Sequence, residues 1–406
     1  LSVATVPGIP VTLAKHQARA WGVRMIRASD PRFPKTTGGT MKNNNVRKSG
    51  LAIAMAAAMG ASAGANAAVE LYNQDGTSFS VDGYFNAFYV NRDDKQNDVR
   101  DSRIKMGFLP NTIGFNFSKD MGDLTLGGRS SFWTTINDSL DSPTDTAIDV
   151  RQFYATVDGD FGQVLIGKDF GLYARSNIFL DEILMGFGSP GVAGGVSFGN
   201  IRAGYPYPTP SAQITYRSPD MGGLKVAAGV LDPADTVTGA NDENAAPRFE
   251  SEVTYNANLN DVALTGWVNG RYQSAENGST TVDSTGLGYG IKASVAGLTL
   301  AASGFTSKGD NPVLIGNGAV TEDDADGFLV QGSYAFGANR VVLSYGETDA
   351  EILNLETEST TLGFFHDVNS NFKLVAEYNM YEDNNRTTGA TTTEADTIAL
   401  GAIVMF

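Results

Sequence analysis

From Phe79 onward apolar and polar side chains alternate with period two, in runs separated by turn residues, and helical periodicity is nearly absent. The alternation predicts strands at 79–90, 112–118, 123–136, 151–157, 163–169, 212–217, 223–232, 247–257, 261–274, 284–295, 297–308, 325–335, 339–349, 357–367, 371–383 and 394–406. Sixteen segments result. The connections alternate too. After the even strands come tight turns, DMGD (120–123), DGDFG (158–162), SPDMGG (218–223), NLND (258–261), VAG (295–297), FGAN (336–339) and VNSN (368–371). After the odd strands come longer polar segments rich in Asp, Asn, Thr and Gly.

Each strand has an apolar and a polar face. Ile398, Leu400, Ala402, Val404 and Phe406 share one parity, with Thr397, Gly401 and Met405 on the other. Phe328, Val330, Tyr334 and Phe336 oppose Gln331 and Ser333, and Leu287, Tyr289, Ile291 and Val295 oppose Lys292 and Ser294. A soluble barrel with a buried apolar face explains any single strand equally well. It does not explain short turns kept at one end and long loops at the other, which a transmembrane barrel does. The expectation is an all-β, transmembrane antiparallel β-barrel of 16 strands, with both termini at the short-turn end and no free edge. Tyr84, Phe88, Phe132, Tyr216, Tyr255, Tyr378 and Phe406, near strand ends, are read as interfacial girdle residues.

The first 67 residues differ from the rest. From Met41, MKNNNVRKSGLAIAMAAAMGASAGANAAVE has a basic start, an apolar run from Leu51 to about Met59, and a small-x-small ending at Ala65-Asn66-Ala67. This is the layout of a secretory signal, with cleavage expected between Ala67 and Ala68. The core is too short for a membrane helix, which needs about 20 apolar residues. A signal works from the chain start, so Met41 is expected to be the physiological start, residues 1–40 a non-structural leader, 41–67 the signal and 68–406 the barrel.

Composition narrows the chemistry. Of 29 basic and 45 acidic side chains, nine basic and one acidic precede residue 68; the remainder holds 20 and 44, a formal charge of −24 against −16 for the whole chain. That balance argues against nucleic acid, whose phosphates need a basic face. With no Cys, and only His16 and His366, thiolate-ligated metals, thiol nucleophiles and disulfides are excluded. GFGSPG (186–191) fits G-x-G-x-x-G but holds Pro190 and lacks a strand before it and a helix after it, so it is a chance match in a Gly-rich chain. His366 has no nucleophile-elbow Ser to serve. The acidic clusters Asp242-Glu243, Glu322-Asp323-Asp324 with Asp326, and Glu382-Asp383 fall on expected outer loops and read as solvated surface, with divalent bridging to lipopolysaccharide phosphates as the functional alternative. No catalytic residue, metal site or cofactor is expected.

Two segments carry a family resemblance. RQFYATVDGDFGQVLIGKDFG (151–171) and ITYRSPDMGGLKVAAGV (214–230) resemble the strand–turn–strand patterns of the Gram-negative trimeric porin family, and NTIGFNFSKDMGDLTLGG (111–128) keeps that family's turn. The final strand ending in Phe406 is similar to the family's assembly signal, read by the outer-membrane insertion machinery. The resemblance implies a homotrimer in the outer membrane, bordered by lipid and lipopolysaccharide, that passes small hydrophilic solutes.

A lumen enclosed by sixteen strands is water-wide. The connection from Phe170 to about Pro210 is long enough to be functional, and its start, FGLYARSNIFLDEILMGFG, is apolar enough at Ile178, Phe179, Leu180, Ile183, Leu184 and Met185 to pack on a wall. Its position matches the family's third loop, which folds into the barrel. The resemblance implies that Asp181 and Glu182 form the acidic side of the constriction, facing a basic wall of Arg103, Arg129, Arg151 and Lys168. Parity places Arg129 inward with Thr125 and Gly127. Such opposed charges would orient hydrated solutes, whereas an ordinary lumen salt bridge would leave transport unaffected. The expected function is passive diffusion with a weak cation preference. A substrate-selective porin, and an adhesive or structural barrel with a closed lumen, are the alternatives.

Overall fold

The computed structural model describes residues 68–137, 148–190, 197–233, 242–243, 246–277, 280–310 and 321–406. The expected leader and signal, up to Ala67, lie outside them. Antiparallel pairs run from each strand to the next and close with the last on the first. The barrel strands are β1 (Thr77–Asp94), β2 (in two pieces, Val99–Lys105 and Asn111–Asp120), β3 (Thr125–Thr134), β4 (Ile148–Gly159), β5 (Gly162–Asp169), β6 (Ser211–Arg217), β7 (Leu224–Leu231) and β8 (Arg248–Leu259). They continue as β9 (Val262–Asn277), β10 (Thr280–Val295), β11 (Leu298–Lys308), β12 (Asp324–Phe336), β13 (Asn339–Ala350), β14 (Leu355–Asn369), β15 (Phe372–Asn385) and β16 (Thr391–Met405). Every predicted strand is present.

The short turns are where the sequence places them. Between β10 and β11 only Ala296 and Gly297 turn the chain, at φ 49° and 86°. Two positive φ values make a mirror-image turn whose twist suits a hairpin. At the opposite end several expected loops are partly strand: β9 and β10 pair out to Asn277 and Thr280, and four residues, Glu351 to Asn354, join β13 to β14. These outer extensions hold many polar residues, among them Gln273, Ser274 and Glu276 on β9 and Asp283 and Ser284 on β10. Pairing therefore persists where the apolar alternation has stopped.

The outer surface between the two ends is apolar. Ile398, Leu400, Val404, Phe328, Val330, Tyr334, Leu287, Tyr289 and Ile291 are all exposed, whereas Gln331, Ser333 and Thr397 on the other parity are buried inside. Without a membrane this band would be a large exposed patch; in a bilayer it is the lipid face. Phe132, Tyr216, Tyr255 and Tyr378 join the exposed set, but Tyr84 and Phe88 do not. Both point inward, and the Phe88 ring lies 5.8 Å from that of Phe187 on the long internal loop. Their parity on β1, opposite to that of the exposed Phe85 and Tyr89, explains the difference.

Two features of the seam were not legible as strands. Val69–Gln74 pairs with the start of β1 below Phe406, whose backbone exchanges hydrogen bonds with Gly83 (2.8 and 3.0 Å). β2 is broken: Lys105 faces Phe88 and Thr112 faces Tyr84, so seven residue steps on β2 oppose four on β1. Its outer piece, VRDSRIK, is too charged to show an apolar face.

Candidate functional site

The chain between β5 and β6 runs into the barrel and is fastened there residue by residue. A loop inside a lumen must find partners for backbone groups that no neighbouring strand satisfies. The inner wall supplies them as side chains. Glu250 on β8 accepts from the Leu172 and Tyr173 N–H groups (2.6 and 3.0 Å), and Asn269 on β9 from Ala174 (2.8 Å). Glu252 accepts from the Ser176 hydroxyl (2.7 Å), in the single helical turn α1 (Arg175–Phe179). Gln331 on β12 accepts from the Glu182 N–H (2.9 Å). On β15, Glu377 Oε2 accepts from both Phe187 and Gly188 (2.9 and 2.7 Å). Gly186 must lack a side chain, since a Cβ there would stand 1.7 Å from Glu377 Oε1.

Between these polar anchors the loop buries apolar side chains. Ile183 and Phe187 are fully buried against Phe88, Val342, Phe365, Val375, Ala399 and Ile403, and Ile178 and Leu184 pack with Phe108, Ile201, Tyr205 and Leu329. Burying each large side chain contributes about 1.5–3 kcal/mol. The apolar inner patch on β13–β16 and β1, unusual for a porous barrel, is the seat of this loop.

Asp181 and Glu182 sit at the centre of the seat, and neither projects into open water. Asp181, 7% exposed, accepts from Tyr205 Oη (2.5 Å), Gln331 Nε2 (2.6 Å), Asn200 Nδ2 (3.0 Å) and the Ile183 N–H (2.9 Å). Burial pushes its carboxyl above the ordinary range, and those four donors pull part of the way back. Glu182, 6% exposed, is ion-paired with Lys292 on β10 and with Arg340 on β13 (3.0 Å), and Ser333 donates to it (2.7 Å). Burial raises its carboxyl, but the two cations outweigh that and hold it below the usual value.

The cations that meet this acidic pair are thus Lys292 and Arg340, both on Glu182, while Asp181 has only neutral donors. The four expected wall residues lie elsewhere. Arg129 points inward as parity requires, forked onto Asp82 (2.6 and 3.0 Å) with Asn116 and Gln152 alongside. Arg103 pairs with Asp101 (2.8 Å) at the outer mouth. A bulge in the β3–β4 register beside Gln152 accompanies an inward Arg151, which pairs with Asp149 (2.7 Å), donates to Tyr207 Oη (2.9 Å) and lies 4.9 Å from the Trp133 ring centroid. Lys168 does not face the lumen. It shares its parity with exposed Ile166 and lies opposite Phe153 and Ala212, both on the outer face. The resemblance of IGKDFG to a family segment suggested the lumen; strand parity decides otherwise.

Lys292, Arg340, Gln331 and Glu377, which seat the loop, were missed because each reads as one more inward polar residue on an alternating strand. Their signal was the inward parity of charge on the strands facing an unusually apolar loop.

Comparison with known proteins agrees with this architecture. Outer membrane protein U of Vibrio vulnificus (strain CMCP6) is 34% identical over 136 residues, 34% of this chain and 36% of that protein, so the chain spans about a third of the length of the curated relative it matches. Among solved structures, the anion-selective porin from Comamonas acidovorans aligns over 81% of this chain and all of its own length, with a TM-score of 0.64 and 14% identity. The outer membrane channel DcaP of Acinetobacter baumannii gives 0.63 at 15% identity, covering 83% of this chain and all of that one. A Salmonella typhi OmpF structure gives 0.56 at 16%, with the same coverages. At those identities the likeness is one of fold. A profile of the Gram-negative porin family, however, matches residues 52–386, most of the sequence. With its closed sixteen-strand barrel and lipid-facing apolar belt, the chain belongs to the Gram-negative porin family of the outer membrane.

Proposed function

We propose that the protein forms a water-filled channel for passive diffusion of small hydrophilic solutes and ions, working as a homotrimer with a weak preference for cations. The observation that carries this reading is the fastened loop. It narrows the lumen from the β8–β15 side, leaving the opposite wall of Arg92, Arg103, Arg129 and Arg151 to border the passage. Each of these arginines has an aspartate partner within 2.6–2.9 Å, so none presents an unbalanced positive charge. Of the loop's two acids, Glu182 is balanced by Lys292 and Arg340, and Asp181 is held by neutral donors. The formal charge of −24 on residues 68–406 is the remaining bias, and it favours cations.

The fold leaves the sign of selectivity open, since the similar Comamonas porin is anion-selective. The homotrimer is supported by the trimer form in which the similarly folded OmpT of Vibrio cholerae is described. Lipopolysaccharide as a lipid neighbour, and insertion machinery reading the strand that ends at Phe406, belong to the same proposal. Planar-bilayer recording tests it: unitary current should be ohmic and scale with salt, and the reversal potential in a KCl gradient should carry the cation sign. No current in purified, folded protein overturns the channel, current that saturates with one solute replaces free diffusion by selective transport, and an anion sign overturns only the preference.

A further inference from the structure

The break in β2 has a use that the porin fold does not require. Met106 to Pro110 leave the strand ladder; Asn137 accepts the Met106 N–H (2.9 Å), and the rest of the excursion is organised by a side chain on β1. Asn86, 5% exposed, accepts the Gly107 N–H on its Oδ1 (2.5 Å) and donates its Nδ2 to the Leu109 carbonyl (2.8 Å) and to Asn111 Oδ1 (3.2 Å). Its own N–H donates to Asn111 Oδ1 (2.6 Å). One amide thus organises both ends of a five-residue excursion.

That excursion grips the tip of the internal loop. The Phe108 N–H donates to the Gly186 carbonyl (2.9 Å). The Phe108 ring packs with Ile178, Leu184, Ile201 and Tyr205 of the loop. The fit is close on both sides: a Cβ on Gly199 would lie 2.6 Å from the Phe108 ring, and one on Gly107 2.7 Å from the Gly186 carbonyl oxygen. Leu109 touches both apolar clusters of the seat yet stays only partly buried, as does Met185 of the loop, which packs on the first of them. Being inside the barrel, their exposed surface meets the lumen.

We propose that the β2 excursion is a second constriction element, in which Leu109 lines the narrow passage with Met185 and Asn86 is the positioning residue that fixes it there. The passage is then bordered on this side by two apolar side chains rather than by a charged pair, and its width depends on the clip between Phe108 and Gly186. This inference rests on the channel reading above, and conduction by the unaltered protein tests that reading separately.

The absence of cysteine makes a clean test available. Leu109→Cys, Met185→Cys and, on the exposed short turn 120–123, Met121→Cys are each placed in planar bilayers and exposed to a charged methanethiosulfonate reagent, with labelling verified by mass. Current through the Leu109 and Met185 variants should fall stepwise and recover on reduction, while labelled Met121→Cys conducts unchanged. Asn86→Ala, checked for a folded heat-modifiable barrel, should conduct with larger unitary current and more flicker. Labelled Leu109→Cys whose current does not change, or a folded Asn86→Ala with native conductance, overturns the proposal. Should Leu109→Cys fail to fold, the Met185 and Asn86 variants decide it by the same readouts.

Discussion

A carboxylate oxygen of Glu377 accepts the backbone N–H of Gly188 at 2.7 Å, joining residues 189 positions apart, and the same oxygen accepts Phe187. One side chain thus fixes the tip of the internal loop against β15. Glu377→Ala should leave both N–H groups without an acceptor, at about 1–3 kcal/mol each. Single-channel recordings should show frequent substates, and Glu377→Gln, which keeps an acceptor oxygen, should be milder. Quiet, native-like current from Glu377→Ala would remove this anchor from the account.

Acid should act through Glu182. Its carboxyl lies below the usual range because Lys292 and Arg340 outweigh burial, so the ionised group stabilises the loop's seat above the ordinary carboxylate value. That contribution fades as pH falls through the depressed folded value. Asp181 has the opposite shift and takes up its proton first. Loop substates should therefore stay rare at neutral pH and rise only below the ordinary carboxylate range. Glu182→Gln should show them already at pH 7, with no further acid step from this site.

Arg151 should matter for selectivity more than for folding. Replacing it by Gln removes the contacts with Tyr207 and Trp133 and leaves Asp149, half exposed, without its cation. The reversal potential in a KCl gradient should move toward cation preference. Lys168→Gln, on the outer face, should leave it unchanged; equal shifts for both would contradict the parity assignment.

Gly83 should be intolerant of a side chain, because a Cβ there would stand 2.4 Å from the Phe406 ring. Gly83→Leu should displace that ring at the seam between β1 and β16. The measurable result is a lower yield of heat-modifiable barrel in the outer membrane, with Gly266→Ala, whose Cβ would come no nearer than 3.9 Å to another atom, as the control.

Much of the fold was legible because period-two alternation over a bilayer's depth is hard to produce by other means, and the turns supplied its punctuation. The loop was legible from its length and apolar start. Its acids were found, but their surroundings were not: Asp181 and Glu182 look like free charges in sequence, and become buried anchors only because Gln331, Lys292 and Arg340 arrive from strands far along the chain. The inner β2 excursion was hidden for a related reason. Its grip on the loop rests on Asn86, an unexceptional polar residue on an alternating strand, and on backbone groups that have no sequence signature.

The wall residues that seat the first half of the loop, Glu250, Glu252, Asn269, Gln331, Arg340 and Glu377, all follow it in the chain. The loop therefore has no complete resting place until the last two strands have taken their positions, β15 with Glu377 and β16 with Ala399 and Ile403. Contacts of such long sequence separation are the slowest to form, since the entropy of closing the intervening chain is spent before they contribute. This geometry favours an order in which the cylinder closes before its narrowing is complete, with the grip of Glu377 on Phe187 and Gly188 among the last contacts made.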